Sequence, residues 1–80
     1  MITQYLDAAM KSATYEILPD DRSYYGEIPD FPGVWANAST LEECRAELLE
    51  VLEGWLLVRL SRGMAIPEMN GIRLAVQEAN

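Results

Sequence analysis

The side chains in this 80-residue sequence that are most able to do chemistry are carboxylates. Paired acids can bind Mg²⁺ or share acid–base work, so three groups of acids are candidates. These groups are Asp20 with Asp21 in a predicted turn, Glu16 with Glu27 on two predicted strands, and the helical row Glu43, Glu47 and Glu50. A solvated surface is the simpler interpretation of each group, because a chain this small offers no shielded pocket.

Histidine is absent from the sequence, which removes the commonest general base and the commonest metal ligand. The single cysteine, Cys44, falls on the apolar stripe of a predicted helix. A buried structural thiol is a simpler interpretation than a nucleophile, since no histidine is present to activate it. No glycine-rich nucleotide motif or metal-spaced cluster occurs. We therefore expect no catalytic residue, no metal, no cofactor and no enzymatic activity.

The charge is strongly acidic, with 13 acids, 6 bases and a net charge of −7. Binding to phosphates requires clustered lysine and arginine, so nucleic acid and an anionic membrane are poor direct partners. A basic protein partner fits better, because complementary potentials speed association and exclude wrong partners. Solubility alone is an equally good explanation of the charge. One cysteine permits no internal disulfide, and we find no signal peptide or bilayer-spanning run, so a cytoplasmic location is expected.

The spacing of apolar residues predicts six elements in the order α-β-β-β-α-β. Apolar residues recur every three or four positions in both predicted helices and alternate with polar residues in the predicted strands. The elements are a short helix over 2–10 with Thr3 as N-cap, strands over 13–18, 23–28 and 34–39, a long helix over 41–62, and a strand over 72–76. Because a crossover through a helix returns a parallel strand, the third and fourth strands should be parallel. We expect an α+β fold, a small mixed sheet covered by one long helix, in a single domain spanning 1–80.

The long helix carries the clearest local signals. Thr40 and Glu43 form a capping-box pattern, in which Thr40 caps the Glu43 amide and the Glu43 side chain reaches back. Acids crowd the first half of the helix and arginines its last turn, as the macrodipole favours. Gly63 is placed to end the helix. Gly26, inside the second strand, indicates either a bulge or a close backbone approach.

Aromatic residues are too many for all to be buried in so small a core, and aromatics are enriched at interface centres. We expect a partner-binding surface around the second strand and the turn after it. Its candidate residues are Asp20, Asp21, Tyr25, Glu27, Asp30, Phe31 and Trp35, although Phe31 could equally plug the core beneath the turn. The C-terminal half of the long helix is apolar nearly all round, which predicts a dimer or larger oligomer. Its candidate interface residues are Trp55, Leu56, Leu57 and Leu60.

Three segments together resemble the HicB-like antitoxin family. They are the strand and Pro-Asp-hydrophobic-Pro-Gly turn over 25–36, the Ser-Thr-hydrophobic-Glu-Glu helix start over 39–44, where Cys44 replaces the usual alanine, and the Gly-x-x-Ile-Pro ending over 63–67. The resemblance covers about residues 13 to 76 and implies a partial ribonuclease-H-like core without its nuclease acids. Members neutralise HicA, a small basic ribonuclease that uses a histidine. Many also carry a C-terminal DNA-binding domain, for which this sequence has no segment, so we expect no direct DNA binding.

Three hypotheses for function follow. The first is an antitoxin-like protein that occludes a basic HicA-type ribonuclease. The second is a solitary oligomeric binding protein of the same family with another protein or a small ligand as its partner. The third, least favoured, is a degenerate ribonuclease-H-like enzyme. A basic, histidine-containing reading frame beside the gene favours the first, whereas hydrolysis of nucleic acid with Mg²⁺ favours the third.

Overall fold

The computed structural model describes residues 2–68. Its elements are α1 (Ile2–Lys11), β1 (Thr14–Ile17), β2 (Tyr24–Glu27), β3 (Trp35–Ala38) and α2 (Leu41–Ser61). The expected α+β class and the order of these five elements are confirmed. Each strand is one residue shorter at both ends than predicted. The predicted strand over 72–76 and its parallel pairing lie outside the described residues.

The three strands form one antiparallel sheet in the order β1-β2-β3. Glu16 lies opposite Tyr25, and Glu27 lies opposite Trp35. Since side chains alternate between the two faces of a sheet, this register separates an inner face from an outer face. The inner face carries Tyr15, Gly26 and Ala36 and packs against α2. The outer face is defined by Thr14, Glu16, Tyr25, Glu27, Trp35 and Asn37.

One stripe of α2 forms the centre of the core. Its members recur every fourth residue and are Cys44, Leu48, Leu52 and Leu56, all buried. The Cys44 thiol donates a long hydrogen bond of 3.6 Å to the Ala36 carbonyl on the inner face. The small residues Gly26 and Ala36 let the helix approach the sheet closely. The stripe therefore fixes α2 across β2 and β3 and leaves the outer face on the opposite side of the sheet.

The turn between β2 and β3 closes one end of this core. Phe31 is fully buried and meets Tyr5 of α1 edge-on at 6.3 Å and Trp55 of α2 at 4.9 Å between ring centroids. The amides of Phe31 and Val34 bond to carbonyls three residues earlier, and Gly33 adopts a φ of 87° that favours glycine. The turn is thus closed by its own backbone hydrogen bonds.

The two ends of α2 differ in how far the prediction was right. Thr40 Oγ accepts a hydrogen bond of 3.1 Å from the Glu43 amide, but the Glu43 carboxylate accepts a bond from the Ser39 hydroxyl at 3.0 Å instead of reaching back to Thr40. At the other end Gly63 has a φ of 64°, and Gly63 and Met64 donate to carbonyls of the last turn in a Schellman motif. No helix within 2–68 is long and apolar enough to span a bilayer.

The start of α1 corrects a smaller expectation. Thr3 was predicted to cap the first helix, but α1 already includes Ile2, so Thr3 lies inside the helix and cannot be its N-cap. The rest of α1 is amphipathic, as expected, with Tyr5, Ala8 and Ala9 buried against the core. The Tyr5 hydroxyl donates a hydrogen bond to the Pro67 carbonyl. The chain after α2 is thereby attached to α1.

Candidate protein-binding surface

The outer face presents two stacked aromatic rings between two carboxylates. Trp35 is 53% exposed, and its ring lies over that of Tyr25 with centroids 6.0 Å apart and an angle of 28°. These two residues are diagonal neighbours on adjacent strands, where aromatic side chains can still reach each other. Glu27 lies directly opposite Trp35, and Glu16 lies directly opposite Tyr25. Glu16 and Glu27 therefore share the outer face of the sheet.

Tyr25 and Glu27 are joined by a hydrogen bond. The Tyr25 hydroxyl donates to Glu27 Oε1 at 2.9 Å. This bond raises the pKa of the Tyr25 hydroxyl, and burial and the charges of Glu27 and Glu16 raise it further. The hydroxyl therefore stays protonated through the neutral range and keeps the Glu27 carboxylate beside the ring pair. The aromatic rings of Tyr25 and Trp35 and the Glu27 carboxylate therefore lie side by side on the outer face.

A second polar group ties the first hairpin turn to β3. Asn37 Nδ2 donates to Ser23 Oγ and to the Tyr24 carbonyl, both at 2.8 Å. Asp21 accepts from the Ser23 hydroxyl at 2.7 Å and from the Ser23 amide at 3.0 Å. The sequence analysis did not single out Asn37. It lies two residues after Trp35 on the same predicted strand, and this spacing places both side chains on one face. These bonds hold the turn in register with the sheet.

The hydrogen bonds to Asp21 predict a pH dependence of stability. The Ser23 hydroxyl and then the Ser23 amide lower the pKa of Asp21 below its ordinary value of 3.8. A carboxyl whose pKa is lower in the folded state stabilises the fold above its unfolded pKa and loses this contribution as the pH falls through its folded pKa. We therefore expect Asp21→Ala to lower the Tm at pH 7 and to lower it less at pH 2.5.

Thermal melts followed by circular dichroism at the two pH values measure this difference. Asp20→Ala is the matched control, because Asp20 is the exposed neighbour in the same turn. An Asp21→Ala effect of the same size at both pH values, or one no larger than that of Asp20→Ala, would contradict the role given to the Ser23 bonds.

Two of the expected partner-binding features are corrected by the structure. Phe31 is fully buried, so its side chain offers no surface to a partner and serves the core instead. Asp20 and Asp21 precede β2 whereas Asp30 follows it, so these acids lie at opposite ends of the strand, separated by roughly 10 Å of extended chain. The prediction that these acids and Glu27 lie near one end or face of the hairpin is therefore wrong as to one end. Tyr25, Glu27 and Trp35 do come together.

The expected oligomer interface on α2 is also revised. Leu56 is buried in the core stripe, so it cannot contact a second chain. Trp55 is half-buried, and its indole N–H donates to the Pro32 carbonyl at 3.2 Å. Leu57 is 65% exposed and Leu60 is half-buried. Successive helical residues point about 100° apart, so a continuous apolar run cannot present all its members to one partner.

Cys44 has the environment that its sequence position predicted. The thiol is buried, and burial raises its pKa, with a further increase from the charge of Glu47. A raised pKa disfavours the reactive thiolate. Within residues 2–68 no group of three His, Cys, Asp or Glu side chains is arranged to hold a metal ion. The outer face is thus the chemically distinctive surface of the described chain.

Comparison with known proteins places the chain in a family. Residues 4–67 match the UPF0150-like family. A UPF0150 protein from Thermotoga maritima is 48% identical over 42 residues, which span 52% of this chain and 56% of that protein. The crystal structure of TTHA0281 from Thermus thermophilus superposes with a TM-score of 0.89 at 48% identity, covering 96% of this chain and 95% of that one. On the match over residues 4–67, the chain belongs to the UPF0150-like family.

Proposed function

We propose that this chain is a non-enzymatic, antitoxin-like binding protein that neutralises a small basic HicA-type ribonuclease by covering it with the outer face of its sheet. The resemblance to HicB-like antitoxins supplies the class of partner. The observation that carries the proposal is the stacked pair of Tyr25 and Trp35 between Glu16 and Glu27, on a face that no other described element covers. The single buried thiol suits a reducing cytoplasm as the place of action.

The chemistry of the outer face favours a basic protein. An arginine of the partner can stack on the exposed face of Trp35, since guanidinium groups bind aromatic faces. The same guanidinium can donate to the carboxylate of Glu27 or Glu16, and charge-assisted bonds of this kind are stronger than neutral ones. An aromatic anchor surrounded by charge is also how the energetic centre of a protein–protein interface is commonly built. A HicA-type toxin is basic and so supplies the complementary groups.

The same face is unsuited to nucleic acid. Exposed aromatic rings on a sheet can stack with bases, but single-strand binding also needs a positively charged groove along the backbone. Here Glu16 and Glu27 flank the rings, and the whole chain has a net charge of −7. Phosphates would be repelled, so inhibition by covering the toxin fits better than competition for RNA.

Binding to the purified HicA-type product of a neighbouring basic reading frame tests the proposal. Trp35→Ala should weaken binding by about 30-fold, the effect of losing an interface anchor worth roughly 2 kcal/mol. Glu27→Lys and Asp30→Lys should mainly slow association, and more so at 50 mM than at 300 mM salt, because rim charges act on the encounter rate. Titration calorimetry gives the affinity, and stopped-flow fluorescence gives the rates.

The matched control is Glu53→Lys, which makes the same charge change on an exposed position of α2. If Glu27→Lys and Asp30→Lys leave association unchanged while Glu53→Lys abolishes binding, the toxin binds α2 and not the outer face.

RNA hydrolysis by this chain alone with Mg²⁺, abolished by Glu16→Gln, would favour the enzymatic hypothesis. If no basic toxin binds, the alternative is a solitary oligomeric binding protein of the HicB-like type with another protein or a small ligand as partner.

A further inference from the structure

A row of residues along one flank of α2, beside the buried stripe, remains uncovered by the described chain. The row, called the seam below, contains Glu47, Val51, Gly54, Val58 and Arg62. Their spacings of three and four residues keep them on one side of the helix. Val51 is 38% exposed and Val58 is 48% exposed. Exposed valines at this spacing form an apolar strip with one acid and one base at its two ends.

Gly54, at the middle of the seam, has no explanation within residues 2–68. Glycine is less favourable than alanine inside a helix, so its use there needs a reason. A Cβ added to Gly54 would meet no other described element within 4 Å. A shallow groove runs along this place and is bordered by Val51, Trp55, Val58 and Met64. A glycine at the floor of a groove lets another backbone or a large side chain approach closely.

We propose that two copies of this chain pair their α2 helices antiparallel along the seam, with the two-fold axis between Gly54 and Trp55. In this register Val51 faces Val58 of the second copy, and Gly54 faces Trp55 of the second copy. Glu47 then faces Arg62 of the second copy at each end. A two-fold contact uses the same patch on both chains, so the patch must be complementary to itself. The seam meets this condition in size, because Gly54 faces Trp55, and in charge, because Glu47 faces Arg62.

The distribution of charge along α2 selects the antiparallel direction. The first 13 residues of the helix carry five acids, and its C-terminal end carries Arg59 and Arg62. A parallel pair would place the acid-rich halves side by side, and like charges at an interface oppose association. The antiparallel pair places each acid-rich half beside the basic end of the other helix. It also aligns the two helix dipoles in opposite directions.

The seam lies on α2, which packs against the inner face of the sheet, so the seam and the outer face share no residue. Pairing through α2 therefore leaves both outer faces free, and a dimer would present two partner-binding surfaces. This inference does not depend on the proposed function. It assigns self-association to Val51, Gly54, Trp55 and Val58, and not to the other predicted interface residues, Leu56, Leu57 and Leu60.

Sedimentation velocity on the full chain tests the proposal over a wide concentration range. One helix pair is small for a specific interface, so we expect a reversible dimer with a Kd on the order of 10–100 µM. Gly54→Glu should weaken the dimer at least about 10-fold, because it places two like charges in the apolar centre. The same change should not destabilise the monomer, because its side chain enters open space and glutamate favours helix.

Charge reversal with rescue identifies the register. Glu47→Arg and Arg62→Glu should each weaken the dimer by about 10-fold, because each puts like charges together at both ends. The double variant restores opposite charges and should recover most of the affinity. Glu53→Arg is the matched control, since Glu53 is exposed on α2 but turned away from the seam, and Trp35→Ala on the outer face should leave dimerisation unchanged.

Three outcomes would overturn the proposal. The first is a monomer up to 1 mM, a concentration well above the expected Kd range of about 10–100 µM. A monomer would also result if the chain's own residues after 68 occupied the groove. The second is a dimer unaffected by Gly54→Glu, which would mean that another surface is used. The third is a dimer in which Glu47→Arg and Arg62→Glu are each harmful but not corrected in combination, which would exclude this antiparallel register.

Discussion

Phe31→Ala is expected to lower the free energy of unfolding by about 3–5 kcal/mol, the usual cost of truncating a fully buried aromatic side chain. Phe31 joins three parts of the fold, because its ring contacts Tyr5 of α1 and Trp55 of α2 while its backbone belongs to the turn after β2. Removing the ring leaves a cavity that none of these parts can fill without moving. Small domains have only modest stability, so this variant should be largely unfolded near 37 °C.

Urea unfolding followed by circular dichroism measures the loss. Phe31→Leu should cost less than Phe31→Ala, because leucine fills most of the same space with apolar atoms. Trp35→Ala is the comparison that separates folding from binding, since Trp35 is the exposed aromatic of the outer face and its truncation should cost less than about 1.5 kcal/mol. A Phe31→Ala loss no larger than that of Trp35→Ala would contradict the burial of Phe31.

This pair of aromatics has a direct use in testing function. If the outer face binds a partner, Trp35→Ala should weaken binding in a folded protein, whereas Phe31→Leu should leave binding nearly intact. Both residues are aromatic and both lie near the Pro-Gly turn, so they are not distinguished by type or position in the chain. Only their burial separates them.

The sequence predicted the strands well because alternation along a strand directly reports which side chains share a face. Glu16 and Glu27 were predicted on two separate strands, and the antiparallel register brings them to one side of the sheet. Alternation does not report how far apart two turns lie. Asp20, Asp21, Glu27 and Asp30 were expected near one end or face of the hairpin, but β2 separates Asp21 from Asp30 along its length.

The long helix shows why burial within an apolar run could not be predicted. Leu56 and Leu57 are neighbours of the same type, yet Leu56 is buried under the sheet and Leu57 is exposed. The choice between them is made by the rotation of α2, which is fixed by the contact of Cys44 with Ala36 and by the small inner face. That contact joins residues on different elements, so the spacing within α2 could not reveal it. The seam was missed for the same reason.

Gly26 decides how closely α2 can approach the sheet. The sequence left open a bulge or a close backbone approach at this position, and the regular register on both sides of β2 selects the close approach. A Cβ added here would lie 2.8 Å from two ring carbons of Tyr15 and 3.2 Å from the Cys44 sulfur. Tyr15 lies directly opposite Gly26 and covers it with its ring, a pairing known to protect glycine in sheets.

Gly26→Ala is therefore expected to lower the free energy of unfolding by about 1–3 kcal/mol, the usual cost of overpacking, and Gly26→Val by more. Gly54→Ala is the matched control, because the same Cβ enters open space in a helix and should raise stability by up to about 1 kcal/mol. A double-mutant cycle with Tyr15→Leu identifies the clash, since the combined loss should be smaller than the sum of the single losses. Urea unfolding of the four proteins in the cycle measures this coupling. Strictly additive losses, or a Gly26→Ala protein as stable as the wild type, would show that Tyr15 and α2 do not close over Gly26 as described.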